Sequence, residues 1–171
     1  MKKINIPMIV LMGFLAVTSC GKKEAATTEE APATETTESQ AAPADVNSNV
    51  LVIEGNDQMQ YNKSELRAVA GKPITLTLKH VGKIPKEAMG HNLVILQEGT
   101  DESAFAAKAI NAKDTDYIPA SDKASIIAHT KLIGGGEQDT VEFTIDKKGT
   151  YNYLCTFPGH VAMMKGKLIV E

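Results

Sequence analysis

The regular alternation of apolar and polar residues after Val50 constrains the fold of this chain more than any other feature of its sequence. The alternation is strict in residues 74–80, and it recurs in residues 139–145. Because successive side chains of a strand point to opposite faces, this pattern predicts strands with one buried face. The residues predicted to point inward are Ile74, Leu76, Leu78, His80, Val141, Phe143 and Ile145.

Shorter apolar runs bounded by Gly, Pro and Asn predict further strands in the same part of the chain. They cover residues 50–54, 66–69, 91–96, 151–155 and 167–170. One alanine-rich helical pattern interrupts them at residues 101–112, with Thr100 or Asp101 as its capping residue. Strands in series with one helical interruption predict an antiparallel all-β sandwich with an inserted helix.

The first 19 residues have the pattern of a secretory signal. Lys2 and Lys3 precede a short apolar run, and small residues follow it up to Cys20. The sequence Val-Thr-Ser-Cys at residues 17–20 resembles a bacterial lipobox, which implies cleavage before Cys20 and acylation of that cysteine. More than one acyl chain would anchor the protein stably to a membrane. The alternative is an ordinary signal peptide followed by an incidental cysteine.

Residues 20–49 are predicted to be a disordered tether. They are mostly Glu, Ala, Thr, Pro and Ser, with no large apolar residue before Val46, so they cannot bury enough surface to offset the entropy of ordering. We therefore expect a lipoprotein signal peptide at 1–19, an acylated tether at 20–49 and a folded domain at 50–171. The residue after Cys20 is Gly21 and not aspartate, which by resemblance to the sorting rules of Gram-negative bacteria implies the outer membrane of the cell envelope, facing the periplasm.

The charge balance argues against partners that are held mainly by electrostatic attraction. The chain has 21 acidic and 18 basic residues, of which six acidic and four basic residues precede Asn49. The rest of the chain therefore has 15 acidic and 14 basic residues. A nearly neutral domain gives no indication of nucleic-acid binding. With only two cysteines, Cys20 and Cys155, a disulfide framework is excluded.

Three soft metal donors lie close together near the C-terminus, in the spacing Cys-x4-His-x3-Met. They are Cys155, His160 and Met164. Thiolate and imidazole suit both copper and zinc, whereas an added thioether is typical of copper electron-transfer sites. Such a site needs a second imidazole, which this loop does not contain.

The candidates for the second imidazole are His80, His91 and His129. His91 begins a predicted strand after a proline-containing loop, so it can lie at the same end of a sandwich as the Cys155 loop. His129 precedes a glycine run and is expected to face solvent. His80 ends an alternating strand and is expected to be a core histidine. Spacing alone favours His91 without deciding the choice.

The same loop has three other interpretations. A cysteine nucleophile paired with His160 would need an orienting group and an oxyanion site, and it would leave Met164 without a role, so we do not expect an enzyme. Zinc can bind the same Cys and His ligands, but we do not expect it to be the working metal. A copper carrier or store with the same site is the main alternative to an electron carrier.

Four separated segments resemble the azurins, which are bacterial blue copper proteins of the cupredoxin family. They are residues 55–60 (GNDQMQ), 89–92 (MGHN), 127–134 (IAHTKLIG) and 155–166 (CTFPGHVAMMKG). The similarity runs from about Val50 to the C-terminus. It implies a Greek-key cupredoxin sandwich of about eight strands that binds one copper ion and cycles it between Cu(I) and Cu(II).

The resemblance also implies the roles of individual residues. His91, Cys155 and His160 would hold copper in a near-trigonal plane, with Met164 and the Gly90 carbonyl as weak axial contacts. Asn92 would help to hold the thiolate loop. From the apolar residues that flank His160 we further hypothesise that transient redox partners, such as cytochromes, dock around an exposed edge of this ring. The residues expected to form this apolar docking patch are Met59, Ile84, Met89, Phe157, Pro158, Ala162 and Met163.

Overall fold

The computed structural model describes residues 49–171. The predictions for the signal peptide, for the lipid on Cys20 and for residues 20–48 of the tether lie outside this part of the chain. No helix in the described part is long and apolar enough to cross a membrane.

Asn49, the last residue assigned to the tether, is bound to the folded domain. Its side-chain oxygen accepts the Val69 N–H at 2.8 Å, and its side-chain nitrogen donates to the carbonyls of Val69 and Lys72 at 3.0 and 3.2 Å. Its own carbonyl accepts the Thr75 N–H at 2.8 Å. These bonds fix the chain where it enters the first strand.

Eight strands form two sheets within residues 49–171. The strands are β1 (Val50–Gly55), β2 (Glu65–Ala68), β3 (Pro73–His80), β4 (Val94–Leu96), β5 (Ile126–His129), β6 (Gln138–Thr144), β7 (Gly149–Leu154) and β8 (Lys165–Val170). The first sheet has the order β1-β3-β6, and the second has the order β2-β8-β7-β4-β5.

The main core lies between the two sheets. It joins residues such as Leu51, Ile53 and Leu76 of the first sheet to Ile95 and Leu168 of the second, all of which are buried. This arrangement confirms the all-β sandwich. Because the alternating residues of β3 face this core, the same phase that buries Leu76 also buries His80.

The helical segments lie in the connections between strands. They are α1 (Lys86–Met89), α2 (Glu102–Ala109) and three short 3₁₀ segments at Lys113–Thr115, Ala120–Ser125 and His160–Ala162. The predicted inserted helix corresponds to α2, and Asp101 is its cap, because its carboxylate accepts the N–H groups of Ser103 and Ala104. Phe105 of α2 packs in a second apolar cluster with Val94, Leu96, Ile118 and Leu154.

The prediction of a purely antiparallel sandwich is wrong. β1 runs parallel to β3, and β2 runs parallel to β8. Alternation specifies which residues face the core but carries no information about the direction of the neighbouring strand, so the sequence pattern could not distinguish the two.

Two strands differ from their predicted extents. The strand predicted at 91–96 is reduced to β4, because the Leu93 N–H is taken by the Thr130 hydroxyl at 2.9 Å and His91 forms an isolated bridge with Ile133. β5 was not predicted at all. It pairs with β4 across a register shift between Ile95 and Leu96.

Candidate metal centre

The loop between β7 and β8 brings Cys155, His160 and Met164 together by its own hydrogen bonds. The Cys155 N–H donates to the Met164 carbonyl at 2.9 Å, and the Met164 N–H donates to the His160 carbonyl at 2.8 Å. Gly159, with φ of +85°, makes the turn before the 3₁₀ segment that begins at His160. The loop is therefore a closed unit that starts and ends at candidate ligands.

His91 reaches the same place from the other end of the sequence. Its main chain exchanges two hydrogen bonds of 2.9 Å with Ile133, which fixes the backbone. Its ring Nε2 bonds to the Asn56 carbonyl at 2.8 Å, so this nitrogen carries the hydrogen and Nδ1 keeps its lone pair. Among the described residues, Nδ1 is a buried side-chain nitrogen without a hydrogen-bond partner.

The donor atoms of these three residues converge. One ligand atom from each of His91, Cys155 and His160 lies within 4.8 Å of the other two, and all three residues are buried. The Cys155 Sγ is 3.6 Å from the His160 Nδ1. An unpartnered buried nitrogen facing a thiol and a second imidazole fits a metal ion, because a buried polar atom is otherwise costly.

Two further groups border this site. Met164 is fully buried, whereas the neighbouring Met163 has 54% of its surface exposed. An added Cβ on Gly55 would meet both the His91 ring and the Met164 methyl, at 2.8 and 3.3 Å, so these two side chains lie against the same backbone. The Gly90 carbonyl is 4.0 Å from the Cys155 Sγ.

The protonation states of the donors follow from their burial. Burial raises the pKa of the Cys155 thiol from its ordinary 9.0 to about 11, because a thiolate is poorly solvated there. Burial likewise lowers the pKa of His160 from 6.5 to about 4 and the pKa of His91 below its ordinary value. Both imidazoles are therefore neutral at pH 7 and can donate lone pairs, while a thiolate at this position requires a bound cation.

Asn92 connects the two segments that carry the candidate ligands. Its side-chain oxygen accepts the Thr156 N–H at 2.9 Å, and its side-chain nitrogen donates to the Thr156 hydroxyl at 2.7 Å and to the Asp116 carbonyl at 3.0 Å. Since Asn92 follows His91 and Thr156 follows Cys155, these bonds fix the two segments relative to each other. Asn92 and Thr156 are both buried.

The other two histidines lie where the sequence predicted them. His80 is buried, and both ring nitrogens have partners: Nδ1 accepts the Gly82 N–H at 3.1 Å, and Nε2 bonds to the Met89 carbonyl at 2.8 Å. His129 is exposed. Neither belongs to the group of candidate metal donors in the described residues.

The residues of the expected docking patch are accessible to different degrees. Those that are half-buried are Met59, Ile84, Met89, Phe157 and Pro158, and those that are exposed are Ala162 and Met163. The Phe157 ring contacts the His160 ring, with centroids 4.7 Å apart. Only 2% of the His160 surface is exposed, so the ring edge available to a partner is smaller than expected.

Three contributors to the site were missed in the sequence. The Asn56 carbonyl orients His91, Thr156 binds Asn92, and the Tyr61 hydroxyl donates to the Asn92 carbonyl. A main-chain carbonyl leaves no signal in a sequence. Thr156 could have been found, because a polar residue directly after a buried ligand needs a hydrogen-bond partner.

Comparison with known proteins identifies the metal. The sequence profile of the family described as "Copper binding proteins, plastocyanin/azurin family" matches residues 48–171. The chain belongs to this family. The metal centre is therefore a single copper site whose candidate ligands include His91, Cys155, His160 and a methionine.

Individual curated proteins are similar to about two thirds of this chain. Azurin of Alcaligenes faecalis is 48% identical over 121 residues, which is 68% of this chain and 93% of that azurin. Outer membrane protein H.8 of Neisseria gonorrhoeae is 45% identical over 119 residues, which is 68% of this chain but only 64% of the H.8 protein. This chain therefore matches less than two thirds of that relative's length.

A solved structure confirms the cupredoxin sandwich. Dithionite-reduced auracyanin from Roseiflexus castenholzii superimposes with a TM-score of 0.66 at 38% identity, covering 73% of this chain and 98% of auracyanin. The Greek-key fold expected from the resemblance is thus the fold of this chain.

Proposed function

We propose that this protein is a type 1 copper electron-transfer protein that passes single electrons between redox partners of the bacterial cell envelope. The observation that carries the proposal is the convergence of His91, Cys155 and His160 in one buried site, where the His91 Nδ1 is without a partner. A copper ion bound to a thiolate and imidazoles supplies a one-electron couple. According to this proposal, the protein is an electron carrier and not an enzyme.

We assign the ligands as the Nδ1 of His91, the Sγ of Cys155 and the Nδ1 of His160. Met164 and the Gly90 carbonyl are the weak additional contacts. The burial of Met164 and the exposure of Met163 support this choice between the two methionines. The burial of Met164 also keeps its thioether away from water, and the access of solvent to a metal site influences its reduction potential.

The surrounding chain restricts movement of the ligands, which suits electron transfer. His91 is fixed through Ile133 and Asn56, and the Cys155 loop is fixed to the same segment through Asn92. When ligands are held in one arrangement, the positions of their atoms change little as the metal changes its oxidation state. A small rearrangement lowers the barrier for exchanging an electron.

Electrons are proposed to leave through His160 toward a partner that docks on the apolar patch defined above. Phe157 lies against the His160 ring, and Met163 is largely exposed on the same loop. Cytochromes and similar redox proteins are the expected transient partners. Met163→Lys and Met89→Lys should slow electron exchange with a soluble cytochrome while the copper spectrum stays intact, and unchanged rates would argue against the patch.

The N-terminus is proposed to attach the domain to a membrane through acyl chains on Cys20, in the outer membrane facing the periplasm. The lipobox-like residues 17–20 and the similarity to a protein named outer membrane protein H.8 support this location. Expression of the full chain with labelled fatty acid tests it. Wild-type protein should take up label in the membrane fraction, and Cys20→Ser should not.

The central experiment is the visible spectrum of the purified domain after addition of Cu(II). Wild-type protein should develop an intense blue band from charge transfer between the Cys155 thiolate and copper, and Cys155→Ser should lack it. A wild-type protein that stays colourless would contradict the proposal. Reduction and reoxidation by a soluble cytochrome, with copper retained against a chelator, would then exclude a copper carrier or store.

A further inference from the structure

Two consecutive residues in the connection between α2 and β5 have a backbone conformation that is unusual for their type. Asp116 and Tyr117 lie in the left-handed region, with φ of +55° and +61°. A bulky residue such as tyrosine rarely adopts this conformation, because its Cβ then crowds the backbone. Strained conformations persist only where the surrounding contacts hold them, and they are concentrated at functional sites. The contacts of these two residues therefore indicate what the segment does.

Both residues lie against the segments that carry the proposed copper ligands. The Asp116 carbonyl accepts a hydrogen bond from the Asn92 side chain at 3.0 Å. The Tyr117 ring meets the Phe157 ring edge to face, with centroids 5.3 Å apart and 69° between the ring planes. The same Phe157 ring contacts the His160 imidazole. Within residues 49–171, Tyr117 and His160 make no ring contact of their own, so an influence of Tyr117 on this imidazole passes through Phe157.

The segment around Tyr117 is fixed independently of the copper-binding loop. The Tyr117 N–H donates to the Ala112 carbonyl at 2.8 Å, and the Thr115 hydroxyl donates to the Ile118 carbonyl at 2.7 Å. Ile118 packs in the second apolar cluster, and Tyr117 itself is buried. The segment can therefore act as a fixed support for the half-buried ring of Phe157.

We propose that Tyr117 is a positioning residue that holds the Phe157 ring against His160 and thereby keeps water away from the copper centre. The inference rests on the proposed copper function and deepens it. A half-buried ring can turn toward solvent unless a neighbour holds it, and edge-to-face contact favours one arrangement of two aromatic rings. This support accounts for the near-complete burial of His160 on a surface loop. Because solvent access to a metal site influences its reduction potential, Tyr117 acts on the potential without touching the metal.

Three variants separate the ring of Tyr117 from the stability of its segment. Tyr117→Gly removes the ring and suits the backbone, because glycine adopts a positive φ without steric cost. Tyr117→Phe keeps the ring and is the conservative rescue. Thr115→Val removes the hydroxyl bond to Ile118 but leaves Tyr117 and Phe157 in place, so it controls for a general loosening of the segment.

The first measurement is the nuclear Overhauser effect between the ring protons of Phe157 and His160 in zinc-loaded protein. It should be present in wild type, Tyr117→Phe and Thr115→Val, and it should be lost in Tyr117→Gly. An equal loss in Thr115→Val, even though both rings remain, would overturn the specific role of the Tyr117 ring. Thr115→Val should lower only the melting temperature.

The second measurement is the relaxation of water protons by the Cu(II)-loaded protein. Relaxation should be faster in Tyr117→Gly than in wild type or Tyr117→Phe, because water then approaches the paramagnetic ion more closely. The midpoint potential of Tyr117→Gly should fall, since water favours the more highly charged oxidised site. In a Phe157→Leu background, Tyr117→Gly should add no further change to either value, because the effect passes through Phe157. Additive changes would overturn the inference.

The outcomes distinguish this inference from the proposed function. A wild type that gives no blue band defeats the copper function, whereas the ring contact in the zinc-loaded protein is still measured. A blue wild type whose ring contact, water relaxation and potential are all unchanged in Tyr117→Gly overturns only the role of Tyr117. If Tyr117→Gly does not fold, Tyr117→Asn replaces it, because asparagine also tolerates the left-handed conformation and lacks the ring. The same losses are expected, and their absence overturns the inference.

Discussion

The imidazole ring of His80 lies parallel to that of His91, with centroids 4.2 Å apart and 14° between the ring planes. The Gly82 N–H donates to the Nδ1 of His80, so Nε2 carries the hydrogen and donates to the Met89 carbonyl. His80 therefore has both nitrogens satisfied and cannot serve as a ligand in this arrangement. The His80 ring packs against one face of the His91 ring and restricts its movement.

Replacement of His80 by leucine should weaken the domain without abolishing the copper site. The half-buried Gly82 N–H and Met89 carbonyl would lose their partners, and each loss should cost less than the roughly 1–3 kcal/mol of a fully buried group, because water can replace part of the bond. Chemical denaturation of metal-free protein should show this loss in the free energy of unfolding. The blue band should persist, and its complete loss would show that His80 is a ligand. His129→Leu is the control, because an exposed histidine should change stability by less than about 0.5 kcal/mol.

An alanine at Gly55 should disturb the site sterically. Its Cβ would lie 2.8 Å from the His91 ring and 3.3 Å from the Met164 methyl, so one of them must move. Overpacking of this kind costs about 1–3 kcal/mol, and the visible spectrum of the copper-loaded variant should change. At Gly149 an added Cβ would meet only ordinary contacts, the nearest at 3.5 Å. Gly149→Ala should therefore leave the spectrum unaltered, and an equal change in both variants would contradict the steric explanation.

Metal binding should release one proton per site at neutral pH. The pKa of Cys155 in the metal-free protein is about 11, so the thiol is protonated at pH 7, whereas the pKa of His160 is about 4 and its ring is already neutral. The apparent affinity for zinc, a redox-inert ion, should therefore rise about tenfold per pH unit between pH 7 and pH 9. Below pH 4, protonation of His160 should weaken binding more steeply. Calorimetry in buffers with different ionisation enthalpies counts the protons, and a count of zero would mean that the thiolate exists before the metal binds.

Removal of the Asn92 side chain should separate the two ligand segments. Asn92→Ala leaves the buried Thr156 N–H without its partner, and the unmet hydrogen bonds should cost about 1–3 kcal/mol each. Thermal unfolding of the metal-free protein measures the loss, and copper should also dissociate faster to a chelator. Asn62→Ala removes two hydrogen bonds to Glu54 on the exposed surface. It should have a much smaller effect, and equal losses in the two variants would argue against a special role for Asn92.

The sequence predicted most of the strands because their alternation reports burial directly. The alternation in residues 74–80 predicted that the His80 side chain points inward, and it is buried in the structure. Three features could not be predicted in this way: the direction of the strands, the shortening of the strand predicted at 91–96, and the existence of β5. Each depends on which neighbouring segment the backbone pairs with. A hydroxyl such as that of Thr130, which replaces a strand partner for Leu93, cannot be recognised from periodicity.

The sequence by itself determined that a thiol, an imidazole and a thioether occupy one short loop, because Cys155, His160 and Met164 are close along the chain. Residue spacing left the second imidazole open among three histidines, and only the tertiary structure brings the His91 ring to the loop, since its backbone pairs with Ile133 and its ring bonds to the Asn56 carbonyl. Packing also buries Met164 against Gly55 and leaves Met163 exposed, a difference that supports the proposed choice between the two methionines. Local spacing can supply donors, but convergence of distant segments requires a packed sandwich.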